Sequence, residues 1–346
     1  MAGTWTSQNK ILPGAYINVA TNEPLSITPG ERGSVVILQE LTVGTDGGIY
    51  TITATEPGYP DGAVAADKKL ANLALQNAKT VKLYKLPATH DSEDIESALE
   101  ALKTEKFDTL VYPYDTTRTA EKSAIVTWIK AMRDDEGVCC SAVLANQAAD
   151  SEAVINVTQG LKVSETENLT AAEVTAWVGG ATAGASVTTS NTGKKVLGVI
   201  DIVPRMTRSE MEAAVTAGKF IFKVDSAQNV TVVTDINSLT TTAPDKGPMF
   251  KKNRVVRVLD GIRNDVAAIF EASYIGKTDN NTDGQLLLKS ALVDYFTTLQ
   301  NMGAIQEFET GDVTVTKGAA IDAVLVDAAI QPVDSVEKIY IQVNLS

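Results

Sequence analysis

Strand-like and helix-like segments alternate between residues 80 and 145, and this alternation restricts the fold more than any other feature of the sequence. Three apolar segments suited to strands, TVKLYKLP, TLVYPY and VCCSAVLA, are separated by two amphipathic segments suited to helices. Strands that are separated by helices need crossover connections, which make the strands parallel and place helices on the faces of the sheet. The sequence therefore predicts a central α/β domain with a largely parallel sheet.

The segment TAAEVTAWVGGATAGA predicts a helix that packs closely on a neighbour. Thr170 and Glu173 have the spacing of a capping box at its start. Gly179, Gly180 and Gly184 weaken the helix propensity of the same segment, and glycine is expected where another element approaches the backbone closely. Further on, FIFKVD and NVTVVTDI predict a β-hairpin.

A polar stretch at residues 240–248, TTTAPDKGP, predicts a domain boundary. Two amphipathic helices are expected beyond it, because apolar residues recur there at spacings of three and four. These residues are Val255, Leu259, Ile262, Val266 and Ile269 in the first helix, and Leu288, Leu292, Tyr295, Leu299 and Met302 in the second. The strand-like segments VTVTKG and AVLVDAAI follow, so this region predicts a small two-layer α+β domain.

Both ends of the chain predict extended strands. From residue 333 onward, apolar residues share one parity and mostly polar residues share the other, which is typical of a half-buried strand. The apolar set is Val333, Ile339, Ile341, Val343 and Leu345. The segment AYINV near the start alternates in the same way between Pro13-Gly14 and Pro24. A terminal strand has a free edge, which can pair with another chain.

Composition excludes several classes of function. The chain has 43 acidic and 30 basic residues and a net charge of −13, which disfavours nucleic acid as a partner because phosphate binding depends on Lys and Arg. No apolar run approaches the ~20 residues that cross a bilayer. The first residues do not have the pattern of a signal peptide, so synthesis and retention in the cytoplasm are expected. Cys139 and Cys140 lie in an apolar run and are expected to be buried and reduced.

The sequence predicts no catalytic, cofactor-binding or metal site. His90, the single histidine, lies in THDSED and is expected at the surface of a helix start, with catalysis as the alternative. Asp279 to Gly284 imitates half of a calcium loop, but Ser290 stands where a bidentate carboxylate is needed, so a turn that caps the next helix is predicted. A soluble α/β enzyme with an unrecognised carboxylate site is the alternative function.

Several strings together resemble one family, the contractile tail sheath proteins of bacteriophages and related tail-like bacteriocins. In the last hundred residues these are KNRVVRVLDGIRND, SYIGKTDNNTDGQ, GDVTVTKG and QPVDSVEKIYIQVNL. LPGAYINV resembles the N-terminal arm of the family, and WVGGATAGA and VVTDINSLTT resemble its central domain. The resemblance covers nearly the whole chain in the same order.

The resemblance implies four segments. These are an N-terminal arm at residues 1–30, a central α/β sheath domain at 31–245, an α+β C-terminal domain at 246–332 and a C-terminal arm strand at 333–346. The central domain of the family has a subtilisin-like shape, but this chain lacks the Ser-His-Asp set, so no catalysis is implied. The space between LYKLP and HDSED is too short for the outer domain that many relatives carry.

The resemblance also implies a function and partners. Subunits are expected to form six-fold rings stacked as a helix around an inner tube, with baseplate and tail terminator proteins at the ends. The polymer is metastable, and its contraction drives the tube through a target envelope. Arms of neighbouring subunits are expected to add strands to a sheet in the C-terminal domain, through the residues Tyr16, Ile17, Val19, Ile339, Tyr340, Ile341, Val343 and Leu345. Pro13, Gly14 and Pro332 would be their hinges.

Three arginines on the first C-terminal helix are expected to contact the tube. Arg254 and Arg257 are three residues apart and share a flank opposed to the apolar stripe, and Arg263 follows on the same helix. The family places this domain next to the tube, so these cations would meet acidic tube residues. A solvated face or intramolecular ion pairs are the alternatives.

Overall fold

The computed structural model describes residues 29–55, 57–115, 117–244 and 246–344. The chain divides into two compact units. The larger unit contains residues 30–264 together with the chain from Pro332 onward, and the smaller unit contains residues 265–331.

Seven strands form the main sheet in the described part of the larger unit, with two small sheets beside it. The strands of this unit are β1 Ser34–Glu40, β2 Ile49–Thr53, β3 Thr80–Leu86, β4 Thr109–Tyr112, β5 Ser141–Ala145, β6 Val154–Val157, β7 Gly160–Lys162, β8 Asn168–Leu169, β9 Asp201–Val203, β10 Lys219–Phe220, β11 Phe222–Val224 and β12 Val230–Val232. The order in the main sheet is β10-β6-β5-β4-β1-β3-β2, and every pair is parallel except β2 with β3. The predicted parallel α/β domain is confirmed.

The helices of the chain lie between these strands and beyond them. They are α1 Ala65–Leu75, α2 Ser92–Leu102, α3 Thr119–Asp134, α4 Ala171–Gly184, α5 Arg208–Thr216, α6 Asn253–Ile269 and α7 Thr282–Met302. Val35 and Ile37 of β1 join the core formed with α1 and α4, whereas Val36 and Leu38 join the core formed with α2 and α3. Because both faces of the sheet are covered, its strands are apolar at successive positions.

The glycines of α4 allow it to contact α1 closely, as predicted. A Cβ atom on Gly180 would lie 2.2 Å from the Ala74 carbonyl oxygen, and one on Gly184 would lie 1.9 Å from the Asn77 carbonyl oxygen. Gly179 faces Val111 of the sheet in the same way. The Thr170 hydroxyl accepts a hydrogen bond from the Glu173 amide, so the predicted capping box is also confirmed.

Two further predictions for the larger unit are confirmed. Strands β11 and β12 form the antiparallel hairpin, with Phe222 opposite Val232. Cys139 and Cys140 are free and buried. Burial raises the pKa of Cys139 to about 11 and that of Cys140 to about 12, so both thiols stay protonated at neutral pH.

The smaller unit contains the end of α6, α7 and short strands. Its strands are β13 Ile305–Gln306, β14 Val313–Lys317, β15 Val324–Ala328 and β16 Gln331–Pro332. The second residue of β16, Pro332, already belongs to the larger unit. The Asn281 side chain caps α7 by accepting a hydrogen bond from the Gly284 amide, so the turn predicted here is confirmed. Helix α7 ends at Met302, and the next residue, Gly303, has a φ of +80°, which favours glycine.

The apolar face predicted for α7 is mostly buried. Leu288, Leu292, Tyr295 and Leu299 are buried, whereas Met302 at the helix end is 47% exposed. The Tyr295 hydroxyl donates a 2.8 Å hydrogen bond to Asp265, which ties α7 to the end of α6.

The compact units divide between Asn264 and Asp265, inside α6, whereas the domain boundary implied by the resemblance lies between residues 245 and 246 and stays a prediction. The difference arises because the first half of α6 is buried within the larger unit. Its Asp260 forms a bidentate ion pair with Arg133 of α3, at 2.5 and 2.8 Å. Sequence polarity marked the loop before the helix but could not show which unit would bury the helix.

We expect Gly180→Ala to lower the free energy of unfolding by about 1–3 kcal/mol, because the new methyl group meets the backbone of Ala74. Gly247→Ala is the matched control, since no atom lies within 4 Å of the place that a Cβ would take there. Urea unfolding of both variants measures the difference. Equal stabilities would contradict the close α1–α4 contact.

Candidate functional site

The C-terminal segment pairs with no strand in the described part of the chain. The sequence predicted a strand over residues 333–345, yet within the described part of the chain residues 333–344 belong to no strand. A strand needs a neighbouring strand, and the described chain does not supply one here. The apolar side chains near the end are largely in solvent, with Ile339 75%, Tyr340 89%, Ile341 80% and Val343 78% exposed. Pro332 ends β16, and Leu345 lies outside the described residues.

Only the first part of this segment contacts the larger unit. Val333, Ser335 and Glu337 are half-buried, whereas the residues between them are exposed. From Lys338 to Asn344 every residue is exposed. We call residues 333–337 the arm root and residues 338–344 the free arm.

Glu337 attaches the arm root to the larger unit. Its Oε1 accepts a 2.7 Å hydrogen bond from the Thr192 hydroxyl, and its Oε2 forms an ion pair with Lys252 Nζ. Asp334 Oδ2 lies 3.8 Å from the same Nζ. The Glu337 side chain is 14% exposed, so this ion pair is partly shielded from solvent.

Asp235 fixes the residues that hold Glu337. Its backbone amide donates a 2.9 Å hydrogen bond to the Thr192 hydroxyl oxygen. Its buried carboxylate accepts hydrogen bonds from the Asn191 amide at 2.9 Å and from the Asn253 side chain at 2.8 Å. Since Lys252 directly precedes Asn253, both groups that bind Glu337 are positioned by Asp235.

The structure corrects the placement of Arg254 and Arg257, which were expected on an outward flank of α6. Both are buried, Arg254 at 8% and Arg257 at 3% exposure. Arg257 donates a 2.7 Å hydrogen bond to the Thr189 carbonyl and lies 3.4 Å from the Asp235 carboxylate. Burial lowers the pKa of Arg257, and Asp235 opposes this effect. Arg257 is therefore paired within its own chain, whereas Arg263 is exposed.

The smaller unit contains a sheet with open edges. β14 and β15 pair antiparallel, with Val315 opposite Val326, and in the described part of the chain this sheet has only these two strands. Ile321 at the turn is 84% exposed, and Leu325 and Val326 are 62% and 41% exposed. The outer edges of both strands could accept a further strand.

His90 is buried, which corrects the predicted surface histidine. Its Nδ1 lies 2.7 Å from Glu40 Oε1, and its Nε2 lies 2.8 Å from the Tyr112 hydroxyl. Burial raises the pKa of Tyr112, so its hydroxyl keeps its proton. The imidazole therefore fills a closed hydrogen-bonding site between strand ends. The local charges around His90 had suggested solvent because its partners lie far away in the sequence.

Tyr16, Ile17, Val19, Pro13 and Gly14 lie outside the described residues. Among the described residues, His, Cys, Asp and Glu form no group that could hold a metal ion. No helix in that part of the chain has the length and apolarity needed to span a membrane.

Three residues of this site, Glu337, Lys252 and Asp235, were not predicted from the sequence. A signal for Glu337 was present, because this acidic residue stands on the parity of the apolar residues Ile339, Ile341 and Val343. An acidic residue on the inward face of a strand needs a cation, but the sequence does not identify which of its lysines provides it.

Family models match most of the chain. The model described as phage tail sheath protein central domain matches residues 88–238, and the one described as phage tail sheath C-terminal domain matches residues 245–346.

Individual proteins and solved structures agree with these matches. The chain is 35% identical over 265 residues to the uncharacterized protein YqbK of Bacillus subtilis, covering 74% of this chain but 57% of YqbK. It is 31% identical over 275 residues to the tail sheath protein of Clostridium phage phiCD119, covering 78% of this chain and 76% of that protein.

The sheath tail protein of Desulfitobacterium hafniense has a TM-score of 0.83 with 31% identity, over 95% of this chain and 99% of that one. The helical sheath of the anti-feeding prophage in its contracted state shares the fold, with a TM-score of 0.76 at 17% identity over 96% of this chain and 99% of that one. The chain thus belongs to the phage tail sheath protein family.

Proposed function

We propose that this chain is the structural subunit of a contractile tail sheath. Subunits form six-fold rings stacked as a helix around an inner tube, and contraction of the polymer drives the tube through a target envelope. Membership of the sheath family and the fold shared with a sheath in a contracted state support this assignment. The chain is made in the host bacterial cytoplasm and works in a phage tail or tail-like particle.

The free arm is the observation that carries the proposal. It presents apolar side chains to solvent and has a backbone without strand partners in the described chain. Full burial of one such side chain contributes roughly 1.5–3 kcal/mol, and strand addition would also satisfy the exposed backbone groups. A second subunit can supply both, so the arm favours self-association.

The β14–β15 sheet of a neighbouring subunit is the proposed acceptor. Its outer edges are open among the described strands, and its exposed Leu325 and Val326 can pack against the apolar side chains of an incoming arm. Backbone pairing joins subunits without requiring a fixed angle between their compact units, so it suits a lattice that changes shape. The N-terminal arm, with Tyr16, Ile17 and Val19, is proposed to join the same sheet.

No catalytic step is assigned to the chain. The titratable groups that might suggest one, His90 and Tyr112, are buried and hydrogen-bonded to each other. The energy for contraction is proposed to reside in subunit contacts formed during assembly, so the sheath needs no cofactor. Its other partners are the inner tube protein and the baseplate and terminator proteins.

Removing the free arm should abolish polymerisation and leave the monomer folded. A chain ending at Glu337 keeps the arm root and its contacts with Lys252 and Thr192, so circular dichroism should match the full chain. Negative-stain electron microscopy at high protein concentration should show tubes or stacked rings for the full chain and dispersed particles for the shortened one. Normal sheaths from the shortened chain would contradict the arm's role, and dispersed particles from both chains would contradict the sheath assignment.

Arg263 is the remaining candidate for tube contact on α6, because it alone of the three arginines is exposed. Arg263→Glu should weaken co-sedimentation of tube with sheath several-fold, and the effect should shrink as salt increases because exposed charges are screened. Arg208→Glu on α5 is the matched control, since that side chain is also exposed. Unchanged tube binding by the Arg263 variant would contradict a contact between Arg263 and the tube.

A further inference from the structure

The exposure pattern of the C-terminal segment changes at one residue. Alternation between half-buried and exposed positions continues from Val333 to Glu337 and then stops, and every described residue from Lys338 onward is exposed. The change occurs five residues after Pro332, the hinge that the sequence suggested. The last half-buried position is Glu337, whose carboxylate binds Lys252 and Thr192.

We infer that Glu337 is a positioning residue that fixes the arm root to its own subunit, so that the strand offered to a neighbour begins at Lys338. The inference rests on the proposed function, because it concerns how the sheath arm is presented. The contacts of Glu337 with Lys252 and Thr192 thereby set where the arm available for assembly begins.

The order of residues along the segment suits its first part to contacts within its own subunit and its last part to contacts with another chain. Positions of one parity read Val333, Ser335 and Glu337, and then Ile339 and Ile341. The first three are half-buried on their own subunit, and the later ones are exposed. A charged residue at position 337 can be satisfied by a cation on the same chain, whereas isoleucines gain most from an apolar surface supplied by another chain.

The groups that hold Glu337 are themselves firmly positioned. Thr192 receives a hydrogen bond from the Asp235 amide, and Lys252 lies next to Asn253, which donates to the buried Asp235 carboxylate. Arg257, 3% exposed, lies against the same carboxylate. The arm root is therefore attached to a buried polar network and not to a mobile surface side chain.

Attachment at Glu337 shortens the mobile part of the arm. The free arm from Lys338 to Asn344 spans at most about 23 Å when extended, at about 3.3 Å per residue. A hinge at Pro332 would add five residues to this tether. A shorter tether samples fewer positions, which raises the effective concentration of the arm near an acceptor within reach and reduces the ordering cost of binding.

Charge reversal tests the inference on the full chain. Glu337→Lys and Lys252→Glu each place like charges together, whereas the double variant restores an opposite pair. A nitroxide spin label on Val336→Cys, an exposed position within the arm root, reports the attachment by its mobility, measured on monomer at low concentration. Label mobility should rise several-fold in each single variant and return close to the parent value in the double variant. Lys338→Glu is the control, because this neighbouring charge is exposed, and its label mobility should match the parent.

Polymerisation provides the second readout. The concentration at which sheaths form, measured by sedimentation and microscopy, should rise several-fold for the single variants and recover in the double variant. Unchanged label mobility in the single variants, or no recovery in the double variant, would overturn the attachment. Higher label mobility with unchanged polymerisation would overturn the role in assembly. If the parent chain forms no polymer, the proposed function fails, while label mobility still decides the attachment.

Discussion

The buried carboxylate of Asp235 is the interaction that positions the residues holding the arm root. It binds Asn191, Asn253 and Arg257, and the backbone amide of the same residue binds Thr192. These contacts join the loop between α4 and β9, the chain after β12 and the first turns of α6. A buried anion is costly unless it is paired and hydrogen-bonded, so removing one partner leaves an unsatisfied charge and destabilises the whole group. This gives the arm a rigid base.

The arm root and the free arm have different surroundings in the monomer. The root is held by an ion pair and a hydrogen bond within one subunit, whereas its apolar continuation is exposed and has no described partner strand. A folded monomer can therefore carry an unsatisfied edge without losing its core, because the parallel sheet and its two apolar layers are complete without the arm. In the proposed sheath, stability of the subunit and affinity between subunits would thereby be carried by different residues, which would suit a polymer that stays connected while its lattice changes.

Sequence reasoning predicted the features that depend on local pattern or on strong backbone constraints. The parallel sheet followed from continuous apolar strands, and the close α1–α4 contact followed from Gly180 and Gly184, because few other roles explain glycine inside a helix. It failed where charged residues find partners far along the chain. Arg257 pairs with Asp235 across 22 residues, His90 pairs with Glu40 across 50, and Glu337 pairs with Thr192 across 145. The polar residues around these positions indicated that they are exposed to solvent, whereas the fold brings polar partners from distant parts of the chain to them.

The most direct test of the account is intermolecular disulfide cross-linking in assembled particles. Chains with Tyr340→Cys are mixed with chains that carry one cysteine on β14 or β15, at Thr314, Thr316, Leu325 or Asp327 in turn. The native Cys139 and Cys140 are buried and do not compete. The account predicts oxidised heterodimers at a subset of positions along one of these strands, and only after assembly. Assembled particles that give no cross-link at any of the four positions would contradict strand addition between subunits.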